Sequence, residues 1–399
     1  MSVLAENLLS DAVLADSYGA VRKRAQAELM RHGFPDIKTE AWKYTSLRAL
    51  EKRSLVPGEH QPASPPPVPF DHHLLHIDAG RLLSDSSSLP SGISIEPVDS
   101  NRLAGLDYGN RGGAFGWLNL ARFEQGLKVV INGRLDQPLM LALTTPDGHA
   151  DACHPRIEIE LTAGSRACLV QLDSSNGSGL VNAVIDLKVG ENARLDHALS
   201  RHNGDAIWIE RLDVALAAGA DYRLVTLDGG GRLTRQDINV ALNASGARCE
   251  VDGSVLIGAR QHVDFHTAID HCVGGTNSRE RFRMLADGNG VGVFNGRIHI
   301  HPGADDSHSD LNTGNLLLSE QARINTKPEL EIHAEEVTAS HGATVGQLDE
   351  QALFYLRSRG LSAEAAANLL KTGFAAAPLE TAVDDAVRQW LLANLGDWL

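Results

Sequence analysis

Seventeen histidines in 399 residues supply most of the ligand chemistry in this sequence, and they are unevenly placed. His262, His266 and His271 fall in one stretch. His299 and His301 are two apart, a spacing that puts both imidazoles on one face of a strand. Asp305, Asp306, His308 and Asp310 follow within a few residues. Imidazole and carboxylate groups brought together bind iron or zinc, although an H-x-H pair on a sheet face is usually plain solvated surface. His341 stands apart, in Thr338-Ala339-Ser340-His341-Gly342-Ala343-Thr344-Val345-Gly346. Its small neighbours leave it accessible where a β pattern gives way to a helical one. Glu331, Glu335 and Glu336 lie just upstream. On residues alone, His341 reads either as a hydrogen-bonding cap of the β region or as a ligand.

Other chemistries are missing. Cys153, Cys168, Cys249 and Cys272 form no C-x-x-C pair, so there is no zinc ribbon and no thioredoxin-type site. Scattered thiols of this kind are expected to be buried and reduced, as in the cytosol. No P-loop and no G-x-S-x-G elbow occurs. Gly288-Asn289-Gly290-Val291-Gly292 lacks the strand–helix setting of a phosphate loop and reads as a turn. With 36 basic against 51 acidic residues the net charge is −15, which argues against binding nucleic acid or an anionic membrane. No apolar run reaches membrane-spanning length. The acidic, amphipathic start has neither a signal-peptide nor a transit-peptide pattern, so a cytoplasmic location is expected.

The elements that must position these residues come in five stretches. Residues 1–53 read as helical: Leu4, Leu8, Leu9, Val13 and Leu14 fall near 3.6-residue spacing, and a second helix over 18–31 is closed by Gly33 and Pro35. Trp42 and Tyr44 are candidate core anchors or partner contacts. Residues 54–70 hold six of the fifteen prolines and read as a semi-extended linker. Residues 71–126 are mixed, with short strands around 74–77 and 93–95 and a helix around 117–123. Residues 127–346 alternate as short strands. Residues 347–399 return to helices, with Asp349 and Ser362 as N-caps and Gly360, Gly373 and Gly396 as stops.

Residues 127–346 repeat. Strand, glycine turn and strand recur with glycines at 164, 190, 219, 246, 274 and 303, at intervals of 26, 29, 27, 28 and 29 residues. An antiparallel sandwich needs frequent turns but no such super-period. About two strands per repeat predicts a flattened β-solenoid, whose coils bury their faces only by stacking. Aromatics at 5% and 38 glycines suit its narrow core.

Several motifs extend this reading. Phe294-Asn295-Gly296-Arg297-Ile298, Asn315-Leu316-Leu317-Leu318-Ser319, Lys327-Pro328-Glu329-Leu330-Glu331-Ile332, Ser340-His341-Gly342-Ala343-Thr344-Val345-Gly346 and Phe354-Tyr355-Leu356-Arg357-Ser358-Arg359-Gly360 together resemble the SufB/SufD family of iron–sulfur cluster assembly proteins. The likeness runs from about 115 to 375. Gly33-Phe34-Pro35 with Trp42-Lys43-Tyr44-Thr45 resembles the SufD branch. The resemblance implies a right-handed parallel β-helix core between helical ends. It implies a non-enzymatic subunit that pairs through its β-helix edge with SufB, or with itself as a homodimer. The C-terminal helices would receive the ATPase SufC. A histidine matching His341 would lie at the SufB junction, near iron or a nascent cluster, with Glu335 and Glu336 as weaker candidates. No tightly bound cofactor is implied for the chain itself, and flavin association of the complex stays open.

The sequence departs from the family in two places. Ala339 stands where a cysteine is frequent two residues before the histidine, so no thiolate comes from this strand. The wording also differs at 306–309. Two other readings remain at this point: a polysaccharide-acting β-helix enzyme, and a free-standing metal-binding solenoid built on the histidine-rich turns.

Overall fold

Strands roughly one repeat apart lie side by side and parallel in the computed structural model, which describes residues 4, 8, 9, 16–56 and 61–399. Along the first sheet, Arg166, Arg194, Asp221, Arg248, Asn277, His308 and Thr338 are successive partners, in steps of 28, 27, 27, 29, 31 and 30 residues. Along the second, Ile157, Ile185, Leu212, Ile238, Thr267, Gly296 and Pro328 stack in the same way. The chain thus alternates between two ten-stranded sheets and winds a parallel β-solenoid of about eight coils. The expected strands near 74–77 and 93–95 are present as His73–Asp78 and Ile93–Pro97. Ile93–Pro97 joins the second sheet antiparallel and ends it on that side.

Between the sheets lies a narrow aliphatic core of valine, isoleucine and leucine. Phe265, Phe282 and Phe294 stack within it, with centroids 5.5 and 4.7 Å apart. Phe282 lies over Gly253, where a Cβ would stand 2.5 Å from the ring. At Phe282 the ring fits because the neighbouring coil gives up its side chain.

The expected glycines all fall in one kind of turn, but they do not share one step of it. The left-handed step belongs to Gly164, Asn192, Gly219, Gly246, Gly275 and Asp306. There the backbone N–H of one coil donates to the next, as from Gly164 to Glu191, Asn192 to Ala218 and Gly219 to Ser245. Gly190 and Gly274 sit two residues and one residue away from it, and Gly303, itself at positive φ, three residues away. Asn and Asp tolerate positive φ better than other side chains, so they replace glycine in two coils.

Helices cover both outer faces. On the second sheet, α1 (Gly19–His32), α2 (Arg48–Glu51), α3 (Ser100–Ala104) and α4 (Ala114–Arg122) bury Leu29, Leu50, Leu103, Phe115 and Leu118 with Ile207, Ile209 and Leu233. Trp42 is a core anchor: it stacks on Phe115, and the Arg235 guanidinium lies 4.1 Å from its ring. Tyr44 is exposed. Val13 and Leu14 of the expected first helix, and Pro57 of the linker, lie outside the described residues. After the last strand of the first sheet, α5 (Glu350–Ser358) is followed by α6 (Ala363–Leu379) and α7 (Asp385–Trp398), which pack on that sheet. Asp349 and Ser362 cap α5 and α6 as expected. Gly373 and Gly396, however, lie inside α6 and α7 rather than ending them. A helical glycine costs about 1 kcal/mol. Burying Leu379, Leu391 and Leu395 against Val170, Val225 and Leu227 of the sheet outweighs it. Val68 and Phe70, at the end of the proline-rich stretch, pack against the same helices.

Candidate functional site at the open end of the solenoid

The last coil is Arg323–Ile332 in the second sheet and Val337–Gly346 in the first. Among the described residues nothing pairs with the outer edge of either strand. In-register parallel neighbours point to the same side, so the last strand can be read from the one beneath it. Val337, Ala339, His341 and Ala343 lie over Ser307, Ser309, Leu311 and Thr313, all buried in the interior row. Opposite them, Ile324, Leu330 and Ile332 continue the row of Gly292, Ile298 and Ile300. This layer faces inward, yet no further coil covers it. Ile332 is 42% exposed and Val345 47%.

His341 is therefore not a surface histidine of the outer face. It occupies a core position in a layer without a roof, and it is exposed. Glu335 and Glu336 lie in the turn just before its strand, also exposed. Their backbone N–H groups donate to the Asp305 carboxylate at 3.1 and 3.3 Å. The Ser340 hydroxyl donates to Asp310. Asp305 and Asp310 thus pin the last coil. Neither glutamate joins His341 in a cluster of three or more ligating groups among the described residues.

His299 and His301 do meet, with ring centroids 3.9 Å apart. Their carboxylate partner is not among residues 305–310, which lie past the next turn. It is Asp270, one coil back: its Oδ1 is 3.0 Å from His299 Nδ1 and 3.4 Å from His301 Nε2. One coil forward, Glu331 and His333 approach His299. The repeat itself, applied to the histidines, was the signal that would have found both partners.

A second polar cluster was not visible in the sequence. Arg201 is fully buried and donates to Asp173 at 2.7 Å, Glu210 at 2.8 Å and Asp228 at 3.2 Å. Gln171, Gln236 and Trp208 donate to Glu210. One cation among three carboxylates leaves excess negative charge in the core. Burial, followed by repulsion from Glu210, pushes Asp173 well above the usual carboxylate range. The four cysteines are unpaired, and burial raises their thiol pKa values, Cys168 to about 12. Inert thiols of this kind offer no ready thiolate.

These features define a class: a parallel β-solenoid jacketed by helices, with one end left open and an imidazole in its uncovered layer. The family model for the SUF system FeS cluster assembly, SufBD core domain, matches residues 143–374, and the chain belongs to that family. It is 28% identical to the iron–sulfur cluster assembly protein SufD of Escherichia coli, over 93% of this chain and 91% of the relative. A SufBD family protein of Synechocystis is 29% identical over 90% of this chain and 86% of its own length. A SufBD family protein of Mycobacterium leprae is 28% identical over 68% and 71%. The chain is a SufD-like homologue within the Suf system of iron–sulfur cluster assembly. Among the described residues no helix is long and apolar enough to cross a membrane.

Proposed function

We propose that this chain is the SufD-type subunit of a cytoplasmic Suf assembly complex, without a reaction of its own. It pairs with a SufB-type subunit through the open end of the solenoid and holds a SufC-type ATPase through its C-terminal helical segment. One observation carries the reading: the last coil presents two free strand edges and an uncovered interior layer, which a solenoid partner of the same kind completes. Strand addition to such edges supplies backbone hydrogen bonds, and the exposed Ile332 and Val345 supply apolar contact. The same edge pairs two copies of this chain when the partner is missing.

In this arrangement His341 is enclosed at the junction. A neutral imidazole is a good ligand for ferrous iron or a cluster iron, here the cargo rather than a resident cofactor. Ala339 supplies no thiolate, so any sulfur ligand at the junction comes from the partner. Glu335 and Glu336 at the rim are in place to hold iron on its way in. The ATPase docks on α5, which buries no residue and exposes Phe354 and Tyr355, at 74% and 57%. The apolar faces of α6 and α7 are already used against the first sheet. Nucleotide-driven pairing of two ATPase copies then biases the shape of the attached subunits without local catalysis.

The test is co-purification of the tagged chain with both partners. The double substitution Ile332→Glu and Val345→Glu should remove the SufB-type partner and keep the ATPase, with an unchanged far-UV spectrum. Retention of the SufB-type partner would place the pairing surface elsewhere.

A further inference from the structure

We propose that Asp270, His299, His301, Glu331 and His333 form a binding site for one divalent first-row transition metal ion on the outer face of the second sheet. His341 plays no part in this site, although Glu331 and His333 belong to the last coil and so border the proposed pairing edge.

The solenoid register builds the site. Asp270, His299 and Glu331 are direct partners on three neighbouring strands, so their side chains form one row across the sheet. His301 and His333 follow two residues further on, where the strands end. The donor atoms of Asp270, His299 and His301 all lie within 4.8 Å of one another, as do those of His299, Glu331 and His333. The two sets overlap only at His299, so a single ion draws on both only after side-chain rotation brings the second set toward the first. The His333 ring stands edge-on to that of His299, with centroids 5.4 Å apart.

The spacing suits a coordination sphere. Metal–nitrogen and metal–oxygen bonds of about 2.0–2.1 Å place neighbouring ligand atoms roughly 3.0 Å apart in an octahedron and roughly 3.4 Å in a tetrahedron. Asp270 Oδ1 lies 3.0 Å from His299 Nδ1 and 3.4 Å from His301 Nε2. Arg297, on the same face, is 3.5 Å from Asp270 Oδ2 and 3.5 Å from a Glu331 oxygen. It holds the two carboxylates and leaves Asp270 Oδ1 to the imidazoles. A set of imidazoles and carboxylates without thiolate selects iron(II) or zinc(II) over soft copper(I). The His299 and Asp270 side chains are mostly shielded, at 18% and 26% exposure, while Glu331 and His333 form an open approach.

The competing account is a hydrogen-bonded histidine–aspartate network that holds no ion, and metal titration separates the two. The full-length chain is stripped with a chelator and titrated with cobalt(II), read by d–d absorption. Zinc(II), and iron(II) without oxygen, follow by equilibrium dialysis. The expected result is one equivalent bound, with affinity reduced about tenfold or more in His299→Ala and in His333→Ala. His308→Ala, on the other sheet, should bind as the parent does. His333 is exposed, so its variant folds even if His299→Ala does not. A parent chain that takes up no stoichiometric ion, or a His333→Ala chain that binds all three metals like the parent, would overturn the proposal.

Discussion

Glu280 faces inward on the strand Asn277–Ala286, fully enclosed beside Phe282. Among the described residues neither of its carboxylate oxygens has a hydrogen-bond partner. The Thr267 hydroxyl lies near enough to favour the anion but does not reach it in hydrogen-bond geometry. Burial pushes the Glu280 carboxyl from 4.5 up to about 7. The sign follows from linkage. Below pH 4.5 both folded and unfolded chains carry the proton, and no cost arises. Between pH 4.5 and 7 the unfolded chain ionises while the folded one keeps its proton, so stability falls as pH rises. Above pH 7 the full cost is present. At about 1.4 kcal/mol per pH unit, this comes to roughly 3 kcal/mol. Glu280→Gln keeps the shape and removes the ionisation. Urea unfolding followed by circular dichroism should show the variant gaining about 3 kcal/mol on the parent between pH 4.5 and pH 8, with most of the gain complete by pH 7. A difference between the two chains that stays constant across this range would refute the reasoning, because it would mean that the buried carboxyl never resists ionisation.

Replacing Arg201 by Met leaves Asp173, Glu210 and Asp228 buried without their cation. A loss of about 3–5 kcal/mol is expected in the same unfolding assay at pH 7, and a loss below 1 kcal/mol would show that the carboxylates are protonated or hydrated. Replacing Phe354 and Tyr355 together by Ser removes exposed side chains from a helix that buries nothing. Stability should stay within about 0.5 kcal/mol while co-purification of the ATPase partner is lost. Unchanged co-purification would move the docking surface off α5.

What could be read in the sequence depended on whether neighbours in the chain or neighbours in the solenoid set each residue. The coil period shows because every coil needs a turn, and glycine marks most turns. The exact step did not show, because Asn192 and Asp306 adopt positive φ in place of glycine. The helix ends at Asp349 and Ser362 were visible, since an N-cap acts on its own first turn. Gly373 and Gly396 misled, because packing on the first sheet carries α6 and α7 through them. Arg201 and its carboxylates were hidden: an inward Gln171-Leu172-Asp173 has the same alternation as an outward one, and only register shows which face is enclosed. His341 stood out by its small neighbours and its place at the β–helix junction. That it continues an interior row became clear only from its pairing with Leu311.

In the proposed function His341 is the residue of this chain nearest to the assembly chemistry. The direct measurement is the activity of iron–sulfur enzymes in cells whose only copy of this chain carries His341→Ala, with assembly of the complex followed separately by size exclusion. An exposed imidazole contributes little to folding, and Ala339 offers no thiolate as a substitute. A normally assembled complex and lost enzyme maturation are therefore expected. Normal maturation would contradict that role, and lost maturation with an unassembled complex would reduce His341 to an interface contact.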